Sequence, residues 1–540
     1  MTSRNLSIGE AVASLLRDGM PVRLEAYDGS SAGPPDADIT LELLTERGLA
    51  YLLTAPGDLG MARAYVSGDL RVHGVHPGDP YDAMRLLQNH LRFRAPSPAE
   101  ALGLVRGLVA GAGLGVLKPP PPPPQEHLPR WRRTVEGLRH SLARDAEAIQ
   151  HHYDVSNAFY ELVLGPSMAY TCAVYPETDA TLEQAQHEKF DLVCRKLDLQ
   201  PGQRLLDVGC GWGGMVRHAA QHYGVQALGV TLSREQASYA KEAIDRDGLG
   251  DRAEVRHSDY RDVLEGDFDA ISSIGLTEHI GVRQYPAYFG FLRDRLRPRG
   301  RLLNHCITRH DNRPRETGAF IDRYVFPDGE LTGSGTIITA AQDAGLEVMH
   351  EENLRIHYAM TLRDWCRNLA ENWDAAVAEV GEGTARVWGL YMAGSRLAFE
   401  RNEIQLHQVL AVRTDETFED WNNRNASLIV SRGGTNTQLA RAMYQRMEPP
   451  SQSQADCVQP AVDTLEESHA PGPETVEIDW PGAQAECETQ TVQLGSGNTE
   501  ASKQGPKAAT TESVAKPDCP TPDATQDYTL YVIVAAIMMN

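Results

Sequence analysis

From residue 204 to residue 354, short apolar runs recur at intervals that leave room for one helix between each pair: RLLDV, ALGV, AEVRH, DAISSI, RLLNHCI and LEVMHEENL. Runs of this length, alternating with segments of helical period, predict an α/β fold with a doubly wound parallel sheet. Residues 361–400 change the pattern. There TLRDWCRNLAENWDAAVAEV and RVWGLYMAGSRLAFE are helical in spacing and rich in Trp, which suits a helical lid inserted over an apolar pocket. A last run, EIQLHQVLAV, is predicted to close the sheet.

Ahead of this region, residues 1–117 mix alternating segments (ITLELL, AYLLTA) with Gly turns and end in the helical pattern AEALGLVRGLVAGAGLGVL, so they read as a small α+β domain. Residues 118–149 read as a linker and a basic helix. Six prolines, Pro119 to Pro124, impose an extended, stiff course, and RWRRTVEGLRH places Arg130, Arg132, Arg133 and Arg139 around Trp131. Such a helix suits either a phospholipid surface or a solvated face. The catalytic region is expected over 150–415, and residues 449–540 have the Pro, Ser, Gln, Thr and Glu content of an acidic disordered tail, to which no function is assigned.

Composition narrows the function classes. The chain has 540 residues, 41% hydrophobic and 23% charged, and a formal net charge of −23. That charge argues against nucleic acid as a partner. The tail holds fourteen acidic residues against three lysines, about half of the excess. Eight cysteines show no CxxC pair and no metal-ligand spacing, as expected of reduced thiols. The start, MTSRNLSIGEAVASLL, lacks the features of a signal peptide, and no run reaches the ~18 apolar residues of a membrane span. A cytoplasmic protein with peripheral contact to the inner face of the membrane is the expectation.

The strand Leu205-Leu206-Asp207-Val208 runs into Gly209-Cys-Gly211-Trp-Gly-Gly214 and then a helix. The G-x-G-x-x-G spacing alone is weak evidence for a dinucleotide site. Asp207, two residues before the first glycine, would repel a pyrophosphate but suits a cationic amino-acid end. The next strand ends in Gly229-Val-Thr231-Leu232-Ser233, with no acidic residue for a ribose about 20 residues on. Both details favour S-adenosylmethionine, which carries an ammonium, a sulfonium and no phosphate, and leave a nicotinamide cofactor as the alternative. Asp259, in SDYRD, supplies a polar group where an adenine amine would lie; taken singly it reads as a helix N-cap. At the tip of the fourth strand, SSIGLTEHIG delivers Glu278 and His279 side by side, where α/β proteins place chemistry.

The segment HHYDVSNAFYELVLGPSMAYTCAVYPE, followed in order by LLDVGCGWGG, GVTLSREQ, DYRD, EHIG and EIQLHQ, resembles the cyclopropane fatty acid synthase family, which includes the mycolic acid cyclopropane synthases. The resemblance covers roughly residues 150–412 and implies a Rossmann-like class I S-adenosylmethionine methyltransferase sheet. It implies methyl transfer onto a cis double bond of an acyl chain, through a carbocation that a bound bicarbonate ion deprotonates. The bicarbonate cage would be Cys172, Glu278, His305, Ile307 and Tyr358, with His279 shaping the turn. The cofactor residues would be Tyr170, Thr171, Gly209 and Gly211, the run Thr231, Leu232, Ser233 to Gln236, and Asp259 with Tyr260. Singly, Cys172 reads as packing, His305 as a satisfied core histidine and Tyr358 as an aromatic filler; together the five favour a site.

Two departures from the family pattern stand out. Leu276-Thr277 replaces the usual aromatic before Glu-His, so the wall beside the cation is expected to lose a π-face. Ser395 stands where many members carry a cysteine. The GLTEHIG variant, with the N-terminal AYVSGDL, is most similar to the subgroup making 10-methylene chains, later reduced to 10-methyl (tuberculostearic-type) acids by a flavin-dependent reductase. A cyclopropane product is the alternative; a nicotinamide oxidoreductase or a non-catalytic lipid-binding protein is more remote. The expected partners are unsaturated phospholipids at a membrane surface, with a homodimer left open.

Overall fold

A computed structural model describes residues 6–126, 156–313, 315–316, 318–326 and 329–414. The predicted basic helix at 130–139 and the acidic tail at 449–540 lie outside the described residues.

The first sheet is small. Helix α1 (Ile8–Leu15) precedes β1 (Arg23–Ala26), β2 (Ser31–Ala32) and β3 (Thr40–Leu43); α2 (Glu46–Thr54) and α3 (Asp58–Val66) lead to β4 (Leu70–His73), then α4 (Tyr81–His90) and α5 (Pro98–Ala112). Strand order is β2-β1-β3-β4, with β1 and β3 parallel. Each four-residue strand alternates buried and half-buried positions through β1 and β3, as period-two side chains on a one-sided sheet must. Val22, Leu24, Leu41, Leu43, Leu49 and Tyr51 fill the core beneath.

The proline run, mostly exposed, is tied down at Pro121 and buries Pro123. Tyr51 Oη donates to the Pro121 carbonyl at 2.6 Å. Just after the run the Glu126 carboxylate, only 2% exposed, receives both Arg63 nitrogens at 2.6 Å, Arg323 at 2.7 Å and Tyr324 Oη at 3.3 Å. Two guanidiniums around one carboxylate offset its burial and hold its pKa below the usual carboxylate value, although burial itself acts the other way. One side chain thus joins α3 to Arg323 and Tyr324 of the second region.

The second sheet is built from α6 (Asn157–Leu164), α7 (Leu182–Leu197), β5 (Arg204–Val208), α8 (Gly214–Tyr223), β6 (Gln226–Thr231), α9 (Arg234–Arg246), β7 (Ala253–His257), β8 (Phe268–Ile274), α10 (Thr277–Ile280), α11 (Tyr285–Arg295) and β9 (Leu296–Arg309). A short pair, β10 (Arg315–Glu316) and β11 (Glu330–Leu331), brackets α12 (Ala319–Tyr324). Then follow α13 (Ser334–Asp343), β12 (Leu346–Asn353), α14 (Arg355–Glu371), α15 (Trp373–Val380), α16 (Glu382–Glu400) and β13 (Ile404–Arg413).

Seven strands are ordered β12-β13-β9-β8-β5-β6-β7, with β7, β6, β5, β8 and β9 mutually parallel. The predicted parallel sheet therefore carries one correction. The last strand, β13, does not lie at the edge but is inserted antiparallel between β9 and β12. Local pattern specifies a strand's existence; its place in the order is a tertiary choice. The apolar runs are continuous because both faces are covered: Leu205, Ala270, Leu303 and Leu410 enter one core with α7, α8 and α9, while Leu206, Ile271, Leu302 and Val409 enter another with α11 and α13.

The lid predicted at 361–400 begins earlier, at Arg355, and comprises α14, α15 and α16. With α6 and the segment 168–175, these helices form a third, aromatic-rich core that includes Tyr160, Trp365, Trp388 and Tyr391. Among the described residues no helix is long and apolar enough to cross a membrane.

Candidate active site

The glycine loop is set by the strand before it. Asp207 is buried in β5, and Ser272 Oγ of the neighbouring β8 donates to its Oδ1 at 2.7 Å. Burial pushes the Asp207 carboxyl up to about 6, against the lowering pull of Ser272 and of Lys189. Gly209 follows with φ 77° and Gly211 with φ 54°, the left-handed region that side chains resist. A Cβ at Gly209 would sit 3.2 Å from Leu276 Cβ, whereas one at Gly211 would meet nothing within 4 Å. The loop backbone is thus braced on one side and bare on the other. The Gly209 and Cys210 amides both donate to the Val230 carbonyl at 3.0 Å, tying the loop to β6.

The tip of β6 is internally bonded. Thr231 Oγ1 donates to Gln236 Oε1 at 2.7 Å and accepts from the Ser233 amide at 3.3 Å, while Ser233 caps α9 by accepting from the Gln236 amide at 3.3 Å. The Leu232 carbonyl lies 3.0 Å from His257 Nε2. At the end of β7, Asp259 caps the turn Tyr260–Asp262 and pairs with Arg261 at 2.6 Å, so the N-cap role foreseen for it is present. The Tyr260 ring stands edge-on to Tyr288 and Phe291 at 5.5 and 5.2 Å.

Tyr170 and Thr171 approach from the segment before α7. Tyr170 Oη donates to Tyr391 Oη at 3.2 Å, and its ring lies 5.4 Å from Trp365 and 5.6 Å from Trp388. Thr171 Oγ1 accepts from Lys189 Nζ at 2.9 Å, so the hydroxyl at this position is in use. Lys189 is a residue that sequence reasoning missed. It is 1% exposed on α7, and burial pulls its pKa down to about 7. The signal for it was absent, because a lysine within QHEKFD reads as a solvated helix position.

The second group assembles around β9. Glu278 lies on the short helix α10 beyond the tip of β8. Its Oε1 accepts from the Ile307 amide at 2.6 Å, and its Oε2 is shut off from solvent with no hydrogen-bond partner. The residue as a whole is half-buried, but its carboxylate points inward, and desolvation raises its pKa to about 7 despite the Ile307 hydrogen bond. His305, two residues before Ile307 on the same face of β9, is fully buried. Its Nδ1 is 3.1 Å from Gln408 Nε2, which makes Nδ1 the acceptor, and its Nε2 is unpartnered. Burial holds His305 well below the usual imidazole pKa, so it is neutral. Behind it Gln408 Oε1 accepts from buried Lys196 at 2.8 Å, and Lys196 pairs with Glu352 at 2.5 Å.

Cys172 and Tyr358 join this group through one carbonyl. Cys172 Sγ lies 3.8 Å from the Leu354 oxygen, which accepts from the Tyr358 amide at 3.1 Å; the Leu354 amide in turn donates to Leu406, the β13 residue opposite Ile307. Burial raises the Cys172 thiol well above its ordinary pKa, so it is no thiolate nucleophile. The Phe399 ring lies tilted by 34° against the Tyr358 ring, with centroids 4.6 Å apart. Cys172 and Tyr358 thus lie in the aromatic core against which Ile307 packs, and Glu278 reaches that strand through the Ile307 amide. His279 has its ring 5.5 Å from Phe326.

One expectation is corrected. Leu276 and Thr277 do not line the aromatic core that holds Cys172 and Tyr358. Leu276 packs with Tyr260 and Tyr288 and against Gly209, and Thr277 is buried with its Oγ1 accepting from Asn304 Nδ2 at 2.5 Å. The position directly before Glu278, where the family pattern has its ring, thus holds a buried, hydrogen-bonded hydroxyl.

Comparison with known proteins decides the family. Residues 140–409 match the model of the mycolic acid cyclopropane synthetase family. The chain belongs to it. A probable fatty acid methyltransferase of Mycobacterium tuberculosis is 61% identical over 422 residues, 78% of this chain and 98% of the relative. A probable fatty acid methyltransferase of Pseudomonas putida is 41% identical over 73% of this chain and 92% of the relative. A crystal structure of the mycolic acid cyclopropane synthase CmaA1 with SAH and CTAB is 33% identical, with a TM-score of 0.46, and covers 49% of this chain and all but 2% of that one. Membership makes the chain an S-adenosylmethionine-dependent methyltransferase of the fatty-acid and cyclopropane type, and sets the nicotinamide reading aside.

Proposed function

We propose that the chain methylates the cis double bond of an unsaturated acyl chain in a phospholipid and releases a 10-methylene product. The observation that carries this reading is the pair of buried, unpartnered polar atoms, Glu278 Oε2 and His305 Nε2, beside an aromatic core. The family's donor, S-adenosylmethionine, would lie on the bare side of the Gly209–Gly211 loop, held by Asp207, Thr231, Gln236, Asp259, Tyr260, Tyr170 and Thr171. Bound there, it supplies an electrophilic methyl group.

The alkene's π electrons form the new C–C bond, which leaves a cation on the adjacent carbon. Tyr160, Tyr170, Trp365, Trp388 and Tyr391 wall that core with π-faces and exclude the water that would trap the cation. A bicarbonate ion would be held by Glu278 and His305, with Cys172, the Ile307 amide and Tyr358 completing its surroundings; bound, it supplies a base. The fit lies in chemistry: a neutral His305 Nε2–H donates, and a carboxyl raised to about 7 is protonated often enough to share a proton with another anion. A hydride shift to the cation, followed by loss of a proton from the methyl-bearing carbon's new methyl, yields the exocyclic methylene. Direct proton loss with ring closure yields the cyclopropane.

The relatives named fatty acid methyltransferases, matched nearly end to end, support the first outcome, as do GLTEHIG and the AYVSGDL segment. A methylene product calls for a flavin-linked reductase to saturate it. The test is incubation with S-adenosylmethionine and oleoyl phospholipid vesicles, then proton NMR of the released fatty acids. Vinylic signals are expected; high-field ring signals would make the product a cyclopropane.

A further inference from the structure

Away from the reaction pocket, on the outer side of the helices behind the glycine loop, three histidines converge. His187 lies on α7, and His218 and His222 lie one turn apart on α8. Their ring centroids are 4.8 Å (187 to 218), 4.6 Å (218 to 222) and 5.3 Å (187 to 222) apart. One ring nitrogen of each lies within 4.8 Å of the other two. Two imidazoles at i and i+4 on one helix, met by a third from the neighbouring helix, present three neutral nitrogen donors to one point.

The middle histidine is the telling one. His218 is 7% exposed, and its Nε2 is buried without a hydrogen-bond partner. The nearest carboxylate oxygen, Asp191 Oδ1, is 4.0 Å away and is already occupied by Tyr223 Oη at 2.6 Å; Arg195 takes the other oxygen. Burial and the two flanking imidazoles pull the His218 pKa down to about 3, so the ring is uncharged with a lone pair available. An orphaned buried nitrogen costs about 1–3 kcal/mol unless something pairs with it. No other use for this nitrogen is visible: the reaction residues sit on the far side of α7, where Lys189 meets Thr171.

We propose that His187, His218 and His222 bind a divalent first-row transition metal ion of the zinc type. Imidazole nitrogens suit zinc, nickel and copper rather than magnesium or calcium. At zinc–nitrogen bonds of about 2.0 Å, tetrahedral ligands stand roughly 3.3 Å apart, so the rings must close from 4.8 Å or less. His187 and His222 are exposed and free to turn, while His218 is fixed by packing against Phe190 at 5.7 Å. Water fills the remaining position, on the exposed side. The metal would staple α7 to α8, whose first residue, Gly214, ends the glycine loop and packs against Phe190.

The test is calorimetric titration of the full-length protein with zinc chloride, beside the double variant H187A/H222A. Both positions are exposed, so the variant is expected to keep its fold, checked by circular dichroism. One equivalent of zinc should bind the native protein, and the variant should bind it about a hundredfold or more weakly. Zinc should raise the thermal midpoint of the native protein and leave that of the variant unmoved. Absence of binding by the native protein at millimolar zinc, or equal binding by the variant, would overturn the proposal. The single variant H222Q serves the same comparison should H187A/H222A lose its circular dichroism signal.

Discussion

The two halves of the reaction site handle buried polar atoms in opposite ways. On the glycine-loop side, Asp207 has Ser272, Thr231 has Gln236 and Asp259 has Arg261. On the proposed acyl side, Glu278 Oε2 and His305 Nε2 end with no partner, although the protein supplies the Ile307 amide and Gln408 to their companion atoms. Paired groups keep a loop in shape whether or not a ligand is present. Unpaired buried groups cost about 1–3 kcal/mol each and are kept where something outside the chain completes them. The difference teaches which half is a frame and which is a reagent holder.

The sharpest way to break this comparison is to change the reagent holder alone. Glu278→Gln should lower turnover by about a hundredfold to ten-thousandfold, the usual span for removing general acid–base function. Its affinity for S-adenosylmethionine, measured by calorimetry, should stay close to that of the native chain. If affinity and turnover fell together, Glu278 would belong to the frame and the division would fail.

The converse change comes next in size. Asp207→Asn keeps the hydrogen bond from Ser272 but removes the charge that the proposed site would set against the amino-acid end of the donor. Binding of S-adenosylmethionine should weaken by roughly tenfold to a hundredfold, the worth of one charge-assisted hydrogen bond, with turnover at saturating donor much less affected. A turnover defect that persists at saturation would count against a purely cofactor-side role.

How much of this was legible in the residues follows the same division. The glycine loop is local: LLDVGCGWGG carries the strand, the carboxylate and the left-handed glycines within ten positions, so periodicity and residue type suffice. The acyl side is not local. Cys172 and Tyr358 meet at the Leu354 carbonyl while Glu278 bonds Ile307 on β9, so these positions, far apart in sequence, were grouped by the resemblance to a family. Lys189, Lys196 and Gln408 escaped both routes. Two buried lysines on an amphipathic helix look like solvated positions, and the support they give to Thr171 and to Gln408 exists only after folding. The place of β13 escaped for a similar reason, since strand order depends on connections and not on alternation.

The raised carboxyl gives a smaller and independent reading. A Glu278 pKa of about 7, against 4.5 when unfolded, means that the folded chain binds more protons between those values. Its contribution to stability is therefore fully present below pH 4.5 and is lost as pH rises through about 7. Since Glu278→Gln cannot lose a proton, the variant should gain on the native chain by about 1–3 kcal/mol between these limits, measured by urea denaturation at several pH values. The comparison cancels Asp207, whose carboxyl is also raised and would otherwise add to the slope. A constant difference across the range would show that Glu278 is not held in a desolvated site.

The smallest effect is expected at Leu276, and it tests where the boundary between the halves runs. Leu276→Phe places a larger side chain where Leu276 now packs against Gly209, in the core that holds Tyr260 and Tyr288. The crowding falls on the cofactor loop, so the Michaelis constant for S-adenosylmethionine should rise severalfold. The aromatic core proposed to face the cation, with Tyr170, Trp365 and Trp388, does not include residue 276, so the ratio of vinylic to ring products should stay where the native chain sets it. A shift toward ring product with an unchanged Michaelis constant would put residue 276 on the reagent side and make a π-face there a determinant of the cation's fate.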